Sequence, residues 1–117
     1  MSVFTEVTFR NPQNPAEKAI IDQIISGVPN GKVSIPPGYK VTDLKTGKTV
    51  STIHLDNRGK AGIEVKTGDA KLERNQAKIY ESCILGDGCA SGVGANARKA
   101  RVQGNDVPRH IYIITPN

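Results

Sequence analysis

The chain has 117 residues, room for one domain around a single core, and no tract marks a linker or repeat. Lysine and arginine outnumber aspartate and glutamate by 16 to 11, and the net charge of +5 favours a polyanion such as nucleic acid as partner. No apolar run is long enough to cross a bilayer and no leader pattern stands out, so stable membrane association is not expected.

Aromatic residues make up 4% of the chain and tryptophan is absent, which leaves isoleucine and valine to build the core. Ser2 to Arg10, with Val3, Phe4, Val7 and Phe9, reads as a short strand or an irregular lead-in. Asn14-Pro15-Ala16-Glu17 then reads as a helix start: Asn14 as cap, Pro15 at the first helical position, Glu17 as the capping-box acid. Ile20, Ile21, Ile24 and Ile25 would form its apolar stripe, and Gly27 its end.

From Lys32 onward the pattern is β. Val33–Ile35, Tyr39–Leu44 and Thr49–Asp56 read as strands, with a hairpin loop at Lys45-Thr46-Gly47-Lys48. Asn57 to Lys60 turns the chain into a strand over Ala61–Gly68, giving an antiparallel meander. There Ile63 and Val65 alternate with Glu64 and Lys66, so an acid and an amine share one face. Such a carboxylate can hold a divalent cation, and the ammonium can orient a water beside a phosphodiester. If Ile53 and Leu55 share the core face with Ile63 and Val65, then His54 and Asp56 join Glu64 and Lys66 on the other.

Asp69 to Glu81 has helical spacing through Leu72, Gln76, Ile79 and Tyr80, flanked by Lys71, Arg74 and Lys78. A helix leaving the strand there can bring Gln76 or Lys78 back over the polar face. The glycine-rich stretch 82–94 carries no phosphate-loop motif and reads as a connection. Within it, Cys83 and Cys89 are too few for a disulfide framework and fit no zinc spacing; a local disulfide and two thiols are both open. Ala95 to Arg101 gathers Arg98, Lys99 and Arg101 on a short helix or turn suited to phosphate contact. Arg109 to Thr115 reads as a closing strand.

The run I-E-V-K-T-G-D-A-K-L-E-R-N-Q-A-K-I-Y, Ile63 to Tyr80, resembles the core of the PD-(D/E)XK nuclease superfamily. It is most similar to the toxin domains of bacterial contact-dependent inhibition and other polymorphic toxins, where E-V-K-T/S-G precedes an L-x-x-N-Q helix. The resemblance implies an α/β (α+β) fold with an αβββαβ restriction-endonuclease-like core. It also implies a nuclease acting on tRNA or DNA, with a divalent metal such as Mg2+ (Mn2+ or Zn2+ being alternatives). By position, Glu64 would bind metal, Lys66 would be the catalytic lysine, Gln76 would complete the site, and Glu17 could be a helical acid. The family's upstream acid has no clear counterpart: Ser51 and Thr52 stand at the expected place, Asp56 is the nearest acid and Asp43 the next. Lys71, Lys78, Arg98, Lys99 and Arg101 would track the phosphate backbone.

Such a toxin would be delivered as the C-terminal part of a larger secreted or surface protein. It would act in the cytoplasm of a target bacterium and be blocked by an acidic cognate immunity protein. Two other readings stand beside it. One is a non-catalytic nucleic-acid-binding domain on the same scaffold; the other is a metal-free RNase using His54 or His110 as base.

Overall fold

The computed structural model describes residues 1–67 and 71–117. It is a mixed α+β fold, mostly sheet with few helices. Strands β1 (Ser2–Asn11) and β2 (Asn14–Ser26) form a long antiparallel hairpin. Pro12 and Gln13 make the bend, with Gln13 N donating to Asn11 Oδ1 at 3.0 Å.

The helix expected from Asn14 is therefore a strand. Its four isoleucines are β-branched, a poor choice for a helix interior and a good one for a pleated surface. Burial alternates along it: Glu17, Ala19 and Ile21 are buried, while Lys18 and Ile20 are exposed. Ile24 and Ile25 are both buried because the sheet is covered on both faces there, each belonging to a different core cluster. The capping pair survives in another form, Asn14 Nδ2 donating to Glu17 Oε1 at 2.7 Å across the strand start.

Strands β3 (Lys32–Ser34) and β6 (Thr52–His54) pair as a small ribbon. Strands β4 (Tyr39–Asp43) and β5 (Thr49–Val50) form the expected hairpin, closed by Gly47 N donating to Asp43 O at 2.8 Å, but the strand expected over Thr49–Asp56 breaks at Ser51 and its second part is β6. The Glu-x-Lys strand is β7, Lys60–Val65; the expected Gly68 end lies outside the described residues. Its neighbours are β2, antiparallel, and the closing strand β9 (Ile111–Pro116), parallel. The meander is thus not formed: β6 pairs with β3 instead of β7. The main sheet runs β5-β4-β9-β7-β2-β1-β8, with β8 at Ser91–Val93.

Helix α1 (Arg74–Ala77) runs directly into a π-helical segment, Lys78–Asp87. The Asp69-Ala70 start of the expected helix lies outside the described residues. Helix α2 (Ala95–Ala100) is the short basic helix, its Ala97 and Ala100 fully buried and its Arg98 and Lys99 exposed.

Alternate residues of β7 serve two cores. Ala61 and Ile63 pack with Val41, Ile53, Leu55 and Tyr112. Gly62 faces Ile21 and Ile111, which belong to the other cluster with Phe9, Ile79, Tyr80 and Ile84. Val65, expected in the core, is exposed because β7 has left the covered part of the sheet by then.

Cys83, in the π-helical segment, is disulfide-bonded to Cys89, six residues on. Closing so short a loop removes limited freedom from the unfolded chain, so its loss has a bounded cost. The Cys83→Ala/Cys89→Ala protein is expected to be about 2 kcal/mol less stable, read as a lower urea midpoint at unchanged slope.

Candidate functional site

β7 is not bonded equally along its two sides. Its ladder with β2 stops at Ile63 opposite Gln23, whereas its ladder with β9 continues to Val65 opposite Ile114. Lys66 N adds one more bond on that side, to Ile114 O at 2.9 Å. Past Ile63 the β2 and β7 strands part, and side chains replace the ladder. Asp22 N donates to Glu64 Oε2 at 3.3 Å, and Val65 N donates to Asp22 Oδ2 at 2.7 Å. A fork in a sheet leaves backbone donors that need acceptors, and two carboxylates meet that need here.

The distortion extends across the hairpin. Thr5 pairs with Gln23 and Val7 with Ile21, which sets Glu6 across from Asp22, and Glu6 has a left-handed φ of 53°. On either side of this point β2 changes the core it serves, Ile21 facing one cluster and Ile25 the other.

Glu64 is 2% exposed. Its Oε1 accepts from Gln76 Nε2 at 2.8 Å, and its Oε2 accepts from the Tyr80 hydroxyl at 3.2 Å. Lys66 Nζ lies 3.8 Å from Glu64 Oε1 and donates to Gln76 Oε1 at 3.1 Å. The same Gln76 oxygen accepts from Glu73 N at 3.1 Å in the capping box of α1. The helix start and the site are therefore one construction: Gln76, the third residue of α1, closes its capping box and also bridges the acid and the amine.

Burial and the charge of Asp22 together hold the Glu64 carboxyl above the ordinary glutamate range. The Asp22 N–H, Gln76 and Lys66 only partly offset them. Burial, then the Glu64 charge, pushes the Tyr80 hydroxyl far up, which keeps it a donor. Lys66 is the more open of the pair, its side chain 16% exposed against 3% for Glu64. A cleft of about 300 Å³ lined by Lys18, Ile20, Glu73 and Asn75 reaches Gln76 from outside.

Glu64, Lys66 and Gln76 are thus brought together as the sequence led one to expect, and Asp56 is not. Asp56 stands before the turn into β7, and its carboxylate is taken up by backbone: Oδ1 accepts from Arg58 N and Lys60 N, both at 2.9 Å, and Oδ2 from Arg109 N at 2.8 Å. His54 lies on the β3–β6 ribbon with an exposed side chain, because β6 never pairs with β7. Asp43 Oδ1 accepts from Lys45 N at 2.9 Å as an ordinary turn acid. His110 precedes β9 and sits against Tyr112, ring centroids 6.4 Å apart.

Glu17 is on β2, five residues before Asp22 and about 16 Å away along an extended strand. It is occupied by Lys78, whose Nζ lies 3.3 Å from Glu17 Oε1, so Lys78 is an ion-pair partner here. Lys71, Arg98, Lys99 and Arg101 are exposed.

Two contributors escaped the sequence reading. Asp22 was hidden inside I-I-D-Q-I-I, where a helix reading puts it on a solvated face; read as a strand, an acid in an apolar run is a signal. Tyr80 reads in the sequence only as one position of the helical spacing with Leu72, Gln76 and Ile79. Among the described residues no group of three or more His, Cys, Asp or Glu is placed to hold a metal ion, so Asp22 and Glu64 form a pair. No protein-family model, curated protein or solved structure matches this chain.

Proposed function

We propose that this chain is a nuclease toxin domain of the PD-(D/E)XK kind, with Asp22, Glu64 and Lys66 as its working residues. The observation that carries the reading is the fork, where an acid on the antiparallel neighbour of the Glu-x-Lys strand meets Glu64. On this reading Asp22, on β2, takes the part of the upstream acid that the resemblance implies, in place of Asp56. A central Glu-x-Lys strand in a mixed sheet, followed by a helix returning Gln76, also supports a restriction-endonuclease-like core.

The donor set suits a hard divalent cation such as Mg2+: two adjoining carboxylates, one held above its usual range by burial and by the charge of the other. When bound, such an ion supplies positive charge to a phosphoryl oxygen and acidifies water. The remaining steps belong to the chain. Lys66 stands beside Glu64 to meet a phosphodiester oxygen and orient the attacking water. Gln76, bonded to both, sets the spacing of the acid and the amine. Tyr80 and Asp22 N keep the carboxylate in place from behind. The partners that go with this reading are tRNA or DNA as substrate and an acidic immunity protein. The place of action is the cytoplasm of a target bacterium, after delivery at the C-terminal end of a larger protein.

The test is cleavage of tRNA and of plasmid, in Mg2+ and in EDTA. Asp22→Asn and Lys66→Ala are each expected to reduce cleavage by about 100-fold or more. Unchanged cleavage in both variants would remove the assignment of the site. Binding of either substrate with no cleavage in any condition would make the chain a binding domain. Cleavage that persists in EDTA and is lost on changing His54 or His110 would transfer the chemistry to a histidine.

A further inference from the structure

At the end of β7 away from Glu64, four cations surround one hollow. Arg58, Lys60, Lys99 and Arg101 line a cleft of about 360 Å³ together with Phe4 and Ser26. Phe4 and Lys99 also line an adjoining cleft of about 220 Å³, so the two clefts meet at these residues as one groove. Phe4 is partly exposed there, at the start of the sheet.

The charge in this groove is poorly balanced. Arg58 is paired with Asp106. Asp56 also acts on Lys60, but both its oxygens are taken by backbone N–H groups. Lys60 is 8% exposed and its ammonium donates to Ser26 Oγ at 2.6 Å. Burial, and after it the charge of Arg101, pulls the Lys60 pKa down. A buried ammonium pressed by a second cation is a built receptor for an anion.

We propose that this groove binds a single-stranded stretch of nucleic acid, with Lys60, Lys99 and Arg101 on its phosphates and a base stacked on Phe4. Cations interleaved with an aromatic ring that packs on the core and keeps part of its surface exposed are the components of a single-strand platform. Two small adjoining clefts, about 360 and 220 Å³, suit a polynucleotide chain better than the broad face of a folded acidic protein. Lys60 and Glu64 are four residues apart, about 13 Å along β7, so the groove holds nucleotides removed from the scissile one. The role of the strand as substrate rests on the proposed nuclease activity; its binding does not.

Binding is measured by fluorescence anisotropy in the Glu64→Gln background, so that loss of cleavage and loss of binding are read separately. The probes are labelled oligouridylate, oligothymidylate and a short duplex, each across a salt series. Single strands are expected to bind about tenfold tighter than duplex. Lys99→Ala with Arg101→Gly, the glycine keeping the left-handed backbone at φ 58°, is expected to weaken single-strand binding about tenfold. The slope of log affinity against log salt should fall by about 0.7 for each cation removed. Phe4→Leu is expected to cost about tenfold with the salt slope unchanged. Lys99→Glu, on the exposed face of α2, gives the same reading should the double variant melt early. Equal binding of duplex and single strand, or variants that bind like their parent, would overturn the proposal. So would competition by polyglutamate that equals oligouridylate and ignores Phe4→Leu, which would make the groove a protein-docking face.

Discussion

Glu64→Gln is expected to abolish the proposed cleavage, by about 1000-fold or more, and at the same time to stabilise the fold at neutral pH. The first effect follows from losing the charge that faces Lys66 and adjoins Asp22, while the amide keeps nearly the same volume. The second follows from where that charge sits. The Glu64 carboxyl is held above its ordinary value of 4.5 in the folded chain, by burial first and by Asp22 second. Between the ordinary and the raised value the folded state therefore binds more protons than the unfolded state, and stability falls as pH rises through that window. Glutamine has no proton to lose. The variant's advantage is accordingly absent below the ordinary value and complete above the raised one. Thermal melts of both proteins across pH would check this: the curves should meet at acid pH and separate as pH rises, the variant melting higher. A variant that is inactive but no more stable at pH 7 would mean that the buried charge carries no penalty. Lost activity with the variant melting lower as pH rises would mean that the fold holds the Glu64 carboxyl below its ordinary value, not above it.

Much of the site was legible because its signals are local. Glu64 and Lys66 share a face by strand parity alone, and Gln76 follows at a spacing that a returning helix delivers. The β4–β5 hairpin, the short basic helix and the closing strand were legible for the same reason. The failures came where local signals compete with long-range pairing. Asn14-Pro15-Ala16-Glu17 is a good helix start, yet four β-branched isoleucines and a partner strand at Ser2–Asn11 outweigh it. Once β2 is misread as a helix, its acid at position 22 cannot be placed next to β7. The upstream acid is then sought among Asp56 and Asp43, which are near in sequence. Likewise the β6–β7 hairpin looked natural because neighbours in sequence often pair. Instead β2 and β9, remote in sequence, occupy both sides of β7, and no periodicity in one segment reports on that.

Asp56→Ala separates the two roles an acid near β7 can have. The carboxylate is 3% exposed and serves as acceptor for the backbone N–H groups of Arg58, Lys60 and Arg109. The first two shape the turn into β7, and the third ties that turn to the segment entering β9. Gly59 lies inside the turn at φ 79°, where an added Cβ would stand 2.1 Å from Gly27 O, so the loop has little room to rearrange. Alanine leaves three donors without an acceptor in a tight place. At about 1–3 kcal/mol for each buried unpaired group, with some recovered by water, the expected loss is about 3–5 kcal/mol. Asp56→Asn keeps an acceptor at Oδ1 but turns an N–H donor toward Arg109 N, and is expected to cost about 1–2 kcal/mol. Urea melts would show both as lower midpoints with unchanged slopes. Under the proposed activity, Asp56→Asn, assayed where it remains folded, should cleave nearly as well as the parent. A fully folded Asp56→Asn that has lost 100-fold or more in cleavage would return Asp56 to the chemistry, and Asp22 would lose its claim to be the upstream acid.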